Sequence, residues 1–198
     1  SKFDSHVHTH VLELEHSVWR KATGHPIPLL DKQLINHCSA GEIHWTAVGT
    51  RMSGDRNTGG GNSIINVFIF RTLVAVTGIK IEMLCDGDDS MVWMERRDLQ
   101  RFLDAASNII PKVYGMKWTY DVANHIYEEE YCRTALSYHD DGTPFCMYDP
   151  IRALTRACWV PNRCGRKQLG QLLLGNLIGL YVLFPNTPIV SPVIWALL

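Results

Sequence analysis

Two neighbouring aspartates, Asp88 and Asp89, are the residues of this chain whose types and spacing best suit chemistry. They end the run Cys85-Asp86-Gly87-Asp88-Asp89, which lies between the apolar segments 79–84 and 91–94. This pattern predicts a β-hairpin with its carboxylates at the tip. Adjacent carboxylates repel each other unless a cation offsets their charge, and Mg²⁺ is the usual partner of hard oxygen ligands beside phosphates. The turn therefore predicts a Mg²⁺ site, although an acidic turn taken alone is equally typical of an ordinary surface loop.

A second polar segment, residues 51–62, lies upstream of this turn. It contains Ser53, Thr58 and Asn62 together with glycines at positions 54, 59, 60 and 61. Glycine permits backbone conformations closed to other residues, so we expect a loop here. Residues 64–76, rich in Ile, Val and Phe, follow it. Because a short apolar run fits a strand and a buried helix equally well, periodicity leaves both structures open there.

Apolar spacing predicts the elements that would position these side chains. Residues 11–21 and 98–110 each carry apolar side chains at helical spacing, and we expect a short strand before the first of these helices. Further helices are expected over 151–156 and 168–183, and short strands over 44–48, 117–120, 131–136 and 145–148. The apolar run 169–184 is shorter than the roughly 20 residues that span a bilayer. We therefore expect a buried helix there and no membrane span.

The bulk composition is that of an ordinary globular chain. Of the 198 residues, 46% are hydrophobic and 20% are charged, which argues against disorder. The net charge of -1 lacks the basic excess of most nucleic-acid-binding domains. No apolar stretch typical of a signal peptide opens the sequence. The cysteines are scattered without a CxxC pair, so we expect free thiols rather than a disulfide framework.

The polar segment and the acidic turn together resemble motifs B and C of viral RNA-dependent RNA polymerases. The run Arg51-Met52-Ser53-Gly54-Asp55, with Asn57-Thr58 and Gly61-Asn62 behind it, is similar to the tombusvirus-like group of that family. The remaining motifs follow in the family's order: residues 1–6 with 12–17 resemble motif A and its helix, 114–118 motif D, and 129–133 motif E. The resemblance favours a helix for residues 64–76.

This resemblance implies an α+β fold. Residues 1–148 would form a polymerase palm, with an antiparallel β-sheet packed on helices, and residues 149–198 the beginning of a helical thumb. The implied reaction is template-directed transfer of ribonucleotides to an RNA 3′ end during viral genome replication. The implied partners are template and nascent RNA, ribonucleoside triphosphates and other proteins of the viral replicase, at replication complexes in the host cytoplasm.

The resemblance also implies roles for individual residues. Asp88 and Asp89 would be catalytic and would bind two Mg²⁺ or Mn²⁺ ions, since two-metal phosphoryl transfer needs carboxylates that converge on the metals. The implied nucleotide-binding residues are Asp4, Ser53, Gly54, Thr58 and Asn62. The polar side chains of this set could recognise the 2′-hydroxyl that distinguishes RNA from DNA.

Motif A in this family has the form D-x-x-x-x-D, and Asp4 matches its second aspartate. The first aspartate, a metal ligand, would lie two positions before Ser1. We therefore expect a fragment that begins inside motif A, ends inside the thumb and has no polymerase activity on its own. For the general acid of motif D, Lys117 and His125 both stay open, while Lys112 and Lys117 also suit an ordinary solvated surface.

Two alternatives share the palm fold but not the function. A palm that has lost its activity could serve as a scaffold or an interaction module. A reverse-transcriptase-like polymerase would also have this fold, but such enzymes carry an aromatic residue near the position of Asp4. The carboxylate at that position favours ribonucleotides.

Other metal sites are weaker interpretations of the same sequence. The acidic turn resembles the start of an EF-hand loop, but Met91 and Arg97 stand where that loop needs Gly and Glu. The alternating histidines at positions 6, 8 and 10 could bind a metal, and ordinary exposed histidines are the simpler interpretation. Cys158 and Cys164, without a nearby histidine, make a poor zinc site.

Overall fold

Residue contacts divide the chain into two units, residues 1–120 and 121–198. A computed structural model describes residues 3–157, 159, 165–185, 187 and 189–197. Both units contain helices and antiparallel strands, which confirms the predicted α+β class. The assignment of a palm to residues 1–148 and of a thumb to residues 149–198 stays a prediction.

The first unit combines helices with two β-hairpins. Its helices are α1 (Thr9–Thr23), α2 (Pro28–Lys32), α3 (Thr58–Thr77) and α4 (Leu99–Ile109). Its strands are β1 (Ile35–Ala40), β2 (Ile43–Val48), β3 (Ile81–Asp86) and β4 (Asp89–Met94), paired β1 with β2 and β3 with β4. Short 3₁₀ turns lie at Asp4–His6 and Arg96–Asp98, and a π-helical turn lies at Ile110–Tyr114. The predicted acidic hairpin, the strand at 44–48 and the helices at 11–21 and 98–110 are confirmed.

Helix α3 lies at the centre of the core of the first unit. This confirms the helix that the family resemblance favoured for residues 64–76. Its buried side chains are Ile65, Ile69, Phe70 and Leu73, and they pack in one cluster with Val11, Leu12, Phe102, Ala106 and Ile110. Burying one such large apolar side chain stabilises the fold by about 1.5–3 kcal/mol. By length and composition alone α3 could cross a membrane, but this packing accounts for the same apolar composition.

The second unit is a three-stranded sheet with helices. The strands β5 (Glu130–Tyr131), β6 (Thr134–Tyr138) and β7 (Pro144–Tyr148) pair in that order. The helices are α5 (Pro150–Ala157), α6 (Arg166–Leu183) and α7 (Val190–Leu197), with a 3₁₀ turn at Ile126–Glu128. The predicted strand at 145–148 and helices at 151–156 and 168–183 are confirmed, whereas α7 was not predicted. Ala153, Val190 and Ile194 form the core of this unit.

Two predicted strands are wrong. The chain at Asp4–His6 is a 3₁₀ turn, because the His6 N–H donates to the Phe3 carbonyl at 2.9 Å instead of to a neighbouring strand. Residues 117–120 also form no strand, and there Trp118 stacks on Tyr120 with ring centroids 4.5 Å apart. In the part of the chain that the structure describes, β3 and β4 pair only with each other, so neither segment finds a sheet partner there.

Two other segments differ from prediction in their extent. The strand expected over 131–136 is broken after Tyr131, because Cys132 and Arg133 have positive φ angles of 51° and 67° that turn the chain back. The loop expected over 51–62 ends earlier, since α3 already begins at Thr58.

The expectation that the helix at 168–183 is buried is wrong within the described residues. Leu172, Ile178 and Val182 of α6 are 47%, 45% and 68% exposed. The apolar residues of α6 are distributed around the helix, but only Leu177, Leu180 and Tyr181 pack on the core of the second unit. The neighbouring helices cover that face, and the apolar side chains on the opposite face stay exposed.

Candidate active site

The aspartates Asp88 and Asp89 lie at the exposed tip of the β3–β4 hairpin. Asp86 pairs with Asp89 across the hairpin, so Gly87 and Asp88 form a two-residue turn. Gly87 has a φ of 62°, as the first central residue of a primed hairpin turn requires. Glycine adopts this conformation without steric cost. The turn therefore leaves both aspartates exposed at the tip of the hairpin, as predicted.

Helix α3 binds the backbone of this turn through two polar side chains. The Ser63 hydroxyl accepts the Gly87 N–H at 2.8 Å, and Asn66 Nδ2 donates to the Gly87 carbonyl at 2.9 Å. Asn66 is buried, and Ser63 also donates to the Gly59 carbonyl at 3.0 Å. Sequence reasoning missed both contacts. The available signal was a pair of polar residues, three positions apart, at the start of an otherwise apolar helix.

Asp4 forms the second cluster of the site. Its side chain is buried, and its two carboxylate oxygens accept hydrogen bonds from the Ser53 hydroxyl at 2.5 Å and from Asn62 Nδ2 at 2.7 Å. The backbone carbonyl of Asp4 also accepts the Arg51 N–H at 2.9 Å. The structure thus brings Asp4, Ser53 and Asn62 together, as the resemblance implied.

Two other residues of the implied nucleotide-binding set stand apart from this cluster. The Thr58 hydroxyl lies 3.0 Å from the Met52 carbonyl and 2.8 Å from the Asp55 carbonyl, so it stabilises the loop before α3. Gly54 is exposed, and no described atom lies within 4 Å of the position that a Cβ would occupy there. In this structure Thr58 therefore stabilises its own loop, and Gly54 lies at the protein surface.

A buried ion pair lies beneath the loop that carries Ser53. Arg51 Nη2 donates to Glu15 Oε2 at 3.0 Å, and both side chains are fully buried. The other carboxylate oxygen of Glu15 accepts from the Trp19 indole N–H and, at 3.1 Å, from Asn57 Nδ2. In the described part of the chain, Arg51 Nε and Nη1 have no hydrogen-bond partner. Glu15 on α1 thus contacts both ends of the loop at 51–57, through Arg51 and through Asn57.

Gly61 permits the close approach of this ion pair to α3. A Cβ at position 61 would lie 2.7 Å from Glu15 Oε1 and 2.7 Å from Arg51 Nη2, closer than real Cβ contacts. From the sequence, these glycines were predicted to lie in a loop and to permit backbone conformations that other residues do not adopt. Gly59, Gly60 and Gly61 instead lie in the first turn of α3, where lack of a side chain matters at Gly61.

His16 is fully buried beside this pair. Its Nε2 lies 3.1 Å from Gln33 Oε1 and 3.4 Å from Glu15 Oε2. Burial lowers the pKa of His16 from its ordinary value of 6.5, while the charge of Glu15 and the Gln33 hydrogen bond oppose this effect. The positive charges of Arg20 and Arg51 lower the pKa further. Desolvation is the largest cause, so His16 is neutral in the folded protein near neutral pH.

The stability of the folded protein should fall as the pH drops below about 6.5. The unfolded chain takes up the His16 proton from that pH downward, whereas the folded chain takes it up only at lower pH. A His16→Gln variant should show a flatter dependence of Tm on pH, with His25→Gln at an exposed position as the control. Equal pH slopes for the His16→Gln variant and the wild type would contradict this prediction.

Burial raises the pKa of two further groups near the site. The Asp55 carboxyl has a raised pKa because of desolvation, which the positive charge of Arg51 opposes. The Cys85 thiol, next to the acidic turn, has a pKa raised by burial alone. Cys85 therefore stays protonated at neutral pH and adds no charged ligand beside Asp88.

The donors at the acidic turn fit a magnesium ion that is shared with a substrate. Mg²⁺ in such sites is held by one or two carboxylates and by phosphate oxygens, and Asp88 and Asp89 offer two exposed carboxylates of this kind. Among the described residues, no group of three His, Cys, Asp or Glu side chains could hold a metal by itself. His8 and His10 stack with centroids 6.0 Å apart, and His10 Nε2 lies 3.3 Å from the Val113 carbonyl. Cys158 and Cys164, the other candidates, lie outside the described residues.

The two candidates for the general acid, Lys117 and His125, are both exposed. Lys117 belongs to the first unit, where Lys112 is likewise an exposed surface lysine. His125 belongs to the second unit, where it stacks on Tyr127 with centroids 5.1 Å apart and precedes a 3₁₀ turn. The choice among them stays open.

Comparison with known proteins identifies the family. Residues 1–180 match the sequence model of the family described as "Viral RNA dependent RNA polymerase", so the chain belongs to this family and the predicted resemblance is confirmed. The RNA-directed RNA polymerase of groundnut rosette virus (strain MC1) is 32% identical over 167 residues, which cover 80% of this chain and 19% of that protein.

Two further relatives extend this comparison. The RNA-directed RNA polymerase of carnation mottle virus is 30% identical over 167 residues, or 79% of this chain and 21% of that protein. The RNA-directed RNA polymerase of tobacco necrosis virus (strain A) is 32% identical over 157 residues, or 74% of this chain and 21% of that protein. The chain thus spans about a fifth of the length of the curated relatives it matches.

Proposed function

We propose that the chain is the part of a viral RNA-directed RNA polymerase that binds the catalytic metals and selects the nucleotide. The observation that best supports this proposal is that α3 contacts both the Asp4 cluster and the acidic turn. Its Asn62 binds Asp4, and its Ser63 and Asn66 bind Gly87. The reaction is template-directed transfer of a ribonucleoside monophosphate to an RNA 3′ end, with release of pyrophosphate. The names of the similar viral proteins support this reaction.

Asp88 and Asp89 are the residues that we assign to metal binding. Two Mg²⁺ or Mn²⁺ ions, when bound, neutralise charge on the attacking oxygen, the phosphorus and the leaving pyrophosphate. Both aspartates are exposed at the hairpin tip, and the contacts of Gly87 restrict the movement of the turn.

Ser53 and Asp4 are the residues that we assign to sugar selection. Ser53 is exposed, and its hydroxyl donates a hydrogen bond to the buried Asp4 carboxylate. Its oxygen therefore presents lone pairs to an incoming nucleotide and can accept a hydrogen bond from a 2′-hydroxyl, which DNA precursors lack. Asn62 holds the other oxygen of Asp4 and keeps the carboxylate in position.

Ser53→Ala should reduce the preference of the polymerase for ATP over dATP about tenfold, which corresponds to about 1.4 kcal/mol. The variant loses the acceptor for the 2′-hydroxyl, and one hydrogen bond of this kind contributes about 0.5–1.5 kcal/mol, or more when a charged group takes part. The measurement is kcat/KM for both nucleotides on one RNA template. Ser17→Ala, which removes an exposed hydroxyl on α1, is the control. Unchanged discrimination in the Ser53 variant would remove Ser53 from sugar selection.

The proposal extends to the domains and the partners of the polymerase. Residues 1–148 are the palm, and residues 149–198 are the beginning of the thumb. The partners are template and nascent RNA, ribonucleoside triphosphates and other proteins of the viral replicase, at replication complexes in the host cytoplasm. Family membership supports RNA and ribonucleoside triphosphates as partners.

The test is RNA-templated incorporation of labelled ribonucleotides by a purified polymerase that contains this chain. Incorporation that needs both an RNA template and a divalent metal supports the proposal. A folded polymerase that binds RNA and incorporates nothing would indicate a palm that serves as a scaffold. A preference for deoxyribonucleotides would indicate a reverse-transcriptase-like enzyme.

A further inference from the structure

Both backbone groups of Gly87 are bound by side chains of α3. The Gly87 N–H belongs to the peptide that joins it to Asp86, and the Gly87 carbonyl belongs to the peptide that joins it to Asp88. Ser63 binds the first of these groups at 2.8 Å, and Asn66 binds the second at 2.9 Å. The orientation of the peptide planes on either side of Gly87 is therefore fixed from outside the hairpin.

The peptide between Gly87 and Asp88 is the central peptide of the turn. Rotation of this peptide converts one type of two-residue turn into another, because the types differ mainly in the dihedral angles on its two sides. Such a rotation would move the Gly87 carbonyl away from Asn66 and would redirect the Asp88 side chain. The bond from Asn66 to the Gly87 carbonyl opposes this rotation.

The position of Asn66 suits this role. It is 5% exposed and lies on α3, whose apolar side chains anchor it in the core of the first unit. A buried amide that has lost its partner costs free energy, so its donor stays on the carbonyl. The turn itself is exposed, and its carbonyl could otherwise bind water in either orientation. A rigid helix thus sets the geometry of a solvent-exposed turn.

We propose that Ser63 and Asn66 are positioning residues, which hold the turn in the one orientation that directs Asp88 and Asp89 to their metal ions. This inference rests on the proposed function, since the aspartates are assigned to metal binding there. Mg²⁺ demands near-ideal octahedral geometry, so a turn that samples two orientations should bind it more weakly than a fixed turn.

The experiment measures metal binding and catalysis separately in the polymerase that contains this chain. Mn²⁺ binding is followed by electron paramagnetic resonance, without nucleotide, in wild type, Ser63→Ala, Asn66→Ala and the double variant. Incorporation kinetics on an RNA template give kcat and the nucleotide KM for the same proteins. Ser63→Thr keeps the hydroxyl and tests rescue. Thr72→Val is the matched control, because Thr72 lies on the same helix and its hydroxyl bonds to the Tyr114 hydroxyl at 2.7 Å, not to the turn.

We expect Asn66→Ala to weaken Mn²⁺ binding about tenfold, which corresponds to about 1.4 kcal/mol, and to lower kcat while the nucleotide KM changes less than about twofold. Ser63→Ala should act in the same direction, and Ser63→Thr should recover binding. Thr72→Val should match the wild type in both measurements. If Asn66→Ala lowers the Tm no more than Thr72→Val does, the fold of the Asn66 variant is intact.

The inference would be overturned if Asn66→Ala and the double variant bound Mn²⁺ with wild-type affinity. It would also be overturned if Ser63→Thr were as impaired as Ser63→Ala. Failure of the proposed function has a different signature: a wild-type polymerase that binds Mn²⁺ and incorporates no ribonucleotide. Because metal binding is measured without turnover, the two failures are distinguishable.

Discussion

Asp88→Asn in the polymerase that contains this chain should lower RNA-templated incorporation roughly a thousandfold, which is about 4 kcal/mol of transition-state stabilisation. The substitution keeps the shape of the side chain and removes the charge that, in the proposed function, holds a catalytic metal beside the phosphates. Asp88 lies at an exposed hairpin tip, so the substitution should leave the core and the Tm unchanged. The measurement is the rate of labelled ribonucleotide incorporation at saturating nucleotide and metal.

The chain offers a matched control for this prediction in the same turn. Asp86 is also exposed and stands on the other side of Gly87, but it is outside the set assigned to metal binding. Asp86→Asn removes the same charge and should change the rate no more than a few-fold. If both variants lose a comparable part of the incorporation rate, the overall negative charge of the turn is important, and Asp88 is not a specific metal ligand. Full activity in Asp88→Asn would refute the assigned metal site.

Arg51→Leu should be the most destabilising of the substitutions considered for this fold, with a cost of about 3–5 kcal/mol. The change leaves the Glu15 carboxylate buried without its cation, and an uncompensated buried charge is costly. The expected result is a large loss of hydrogen-exchange protection in α1 and in the first turns of α3, together with a lower Tm. Because the Glu15 carboxylate also accepts from Asn57 at the other end of this loop, the loop that carries Ser53 should become less ordered.

An exposed ion pair provides the control for the buried one. Arg20 and Asp31 also form an ion pair, but their side chains are 36% and 66% exposed. Arg20→Leu should therefore cost no more than about 1 kcal/mol, as is usual for surface pairs. A double variant, Glu15→Leu with Arg51→Leu, should recover part of the lost stability, because it removes both buried charges. Equal costs for Arg51→Leu and Arg20→Leu would contradict the buried pair.

The sequence predicted those parts of the site that depend on local chemistry. The apolar half-strands around a glycine and its aspartates were enough to predict the β3–β4 hairpin, since turn type and alternation are local properties. Helix α3 was open to two interpretations, because it is apolar on several sides and so has no clear periodicity. The resemblance to a family decided in favour of the helix. It also predicted the proximity of Asp4 and Asn62, which are far apart in the chain.

The parts that were not predicted depend on packing between distant segments. Nothing in the local sequence of Glu15 or Arg51 indicates that their side chains form a buried pair across 36 positions of the chain. Ser63 and Asn66 were overlooked for the same reason, because their partner is a backbone group of another element. The exposed face of α6 was not predicted, because apolar composition predicts that a helix is buried but does not show which other segments cover it.

The missing Cβ at Gly61 has a consequence for the viral genome. Every missense change of that codon adds a carbon atom 2.7 Å from the Glu15 and Arg51 side chains, so these side chains must shift to accommodate it. At Gly59 no described atom lies within 4 Å of the Cβ position, and alanine is also the better helix former. Codon 59 is therefore free to drift, whereas codons 15, 51 and 61 are linked. A change at codon 61 forces the Glu15 and Arg51 side chains to shift, so we expect its effect to depend on the residues encoded at codons 15 and 51.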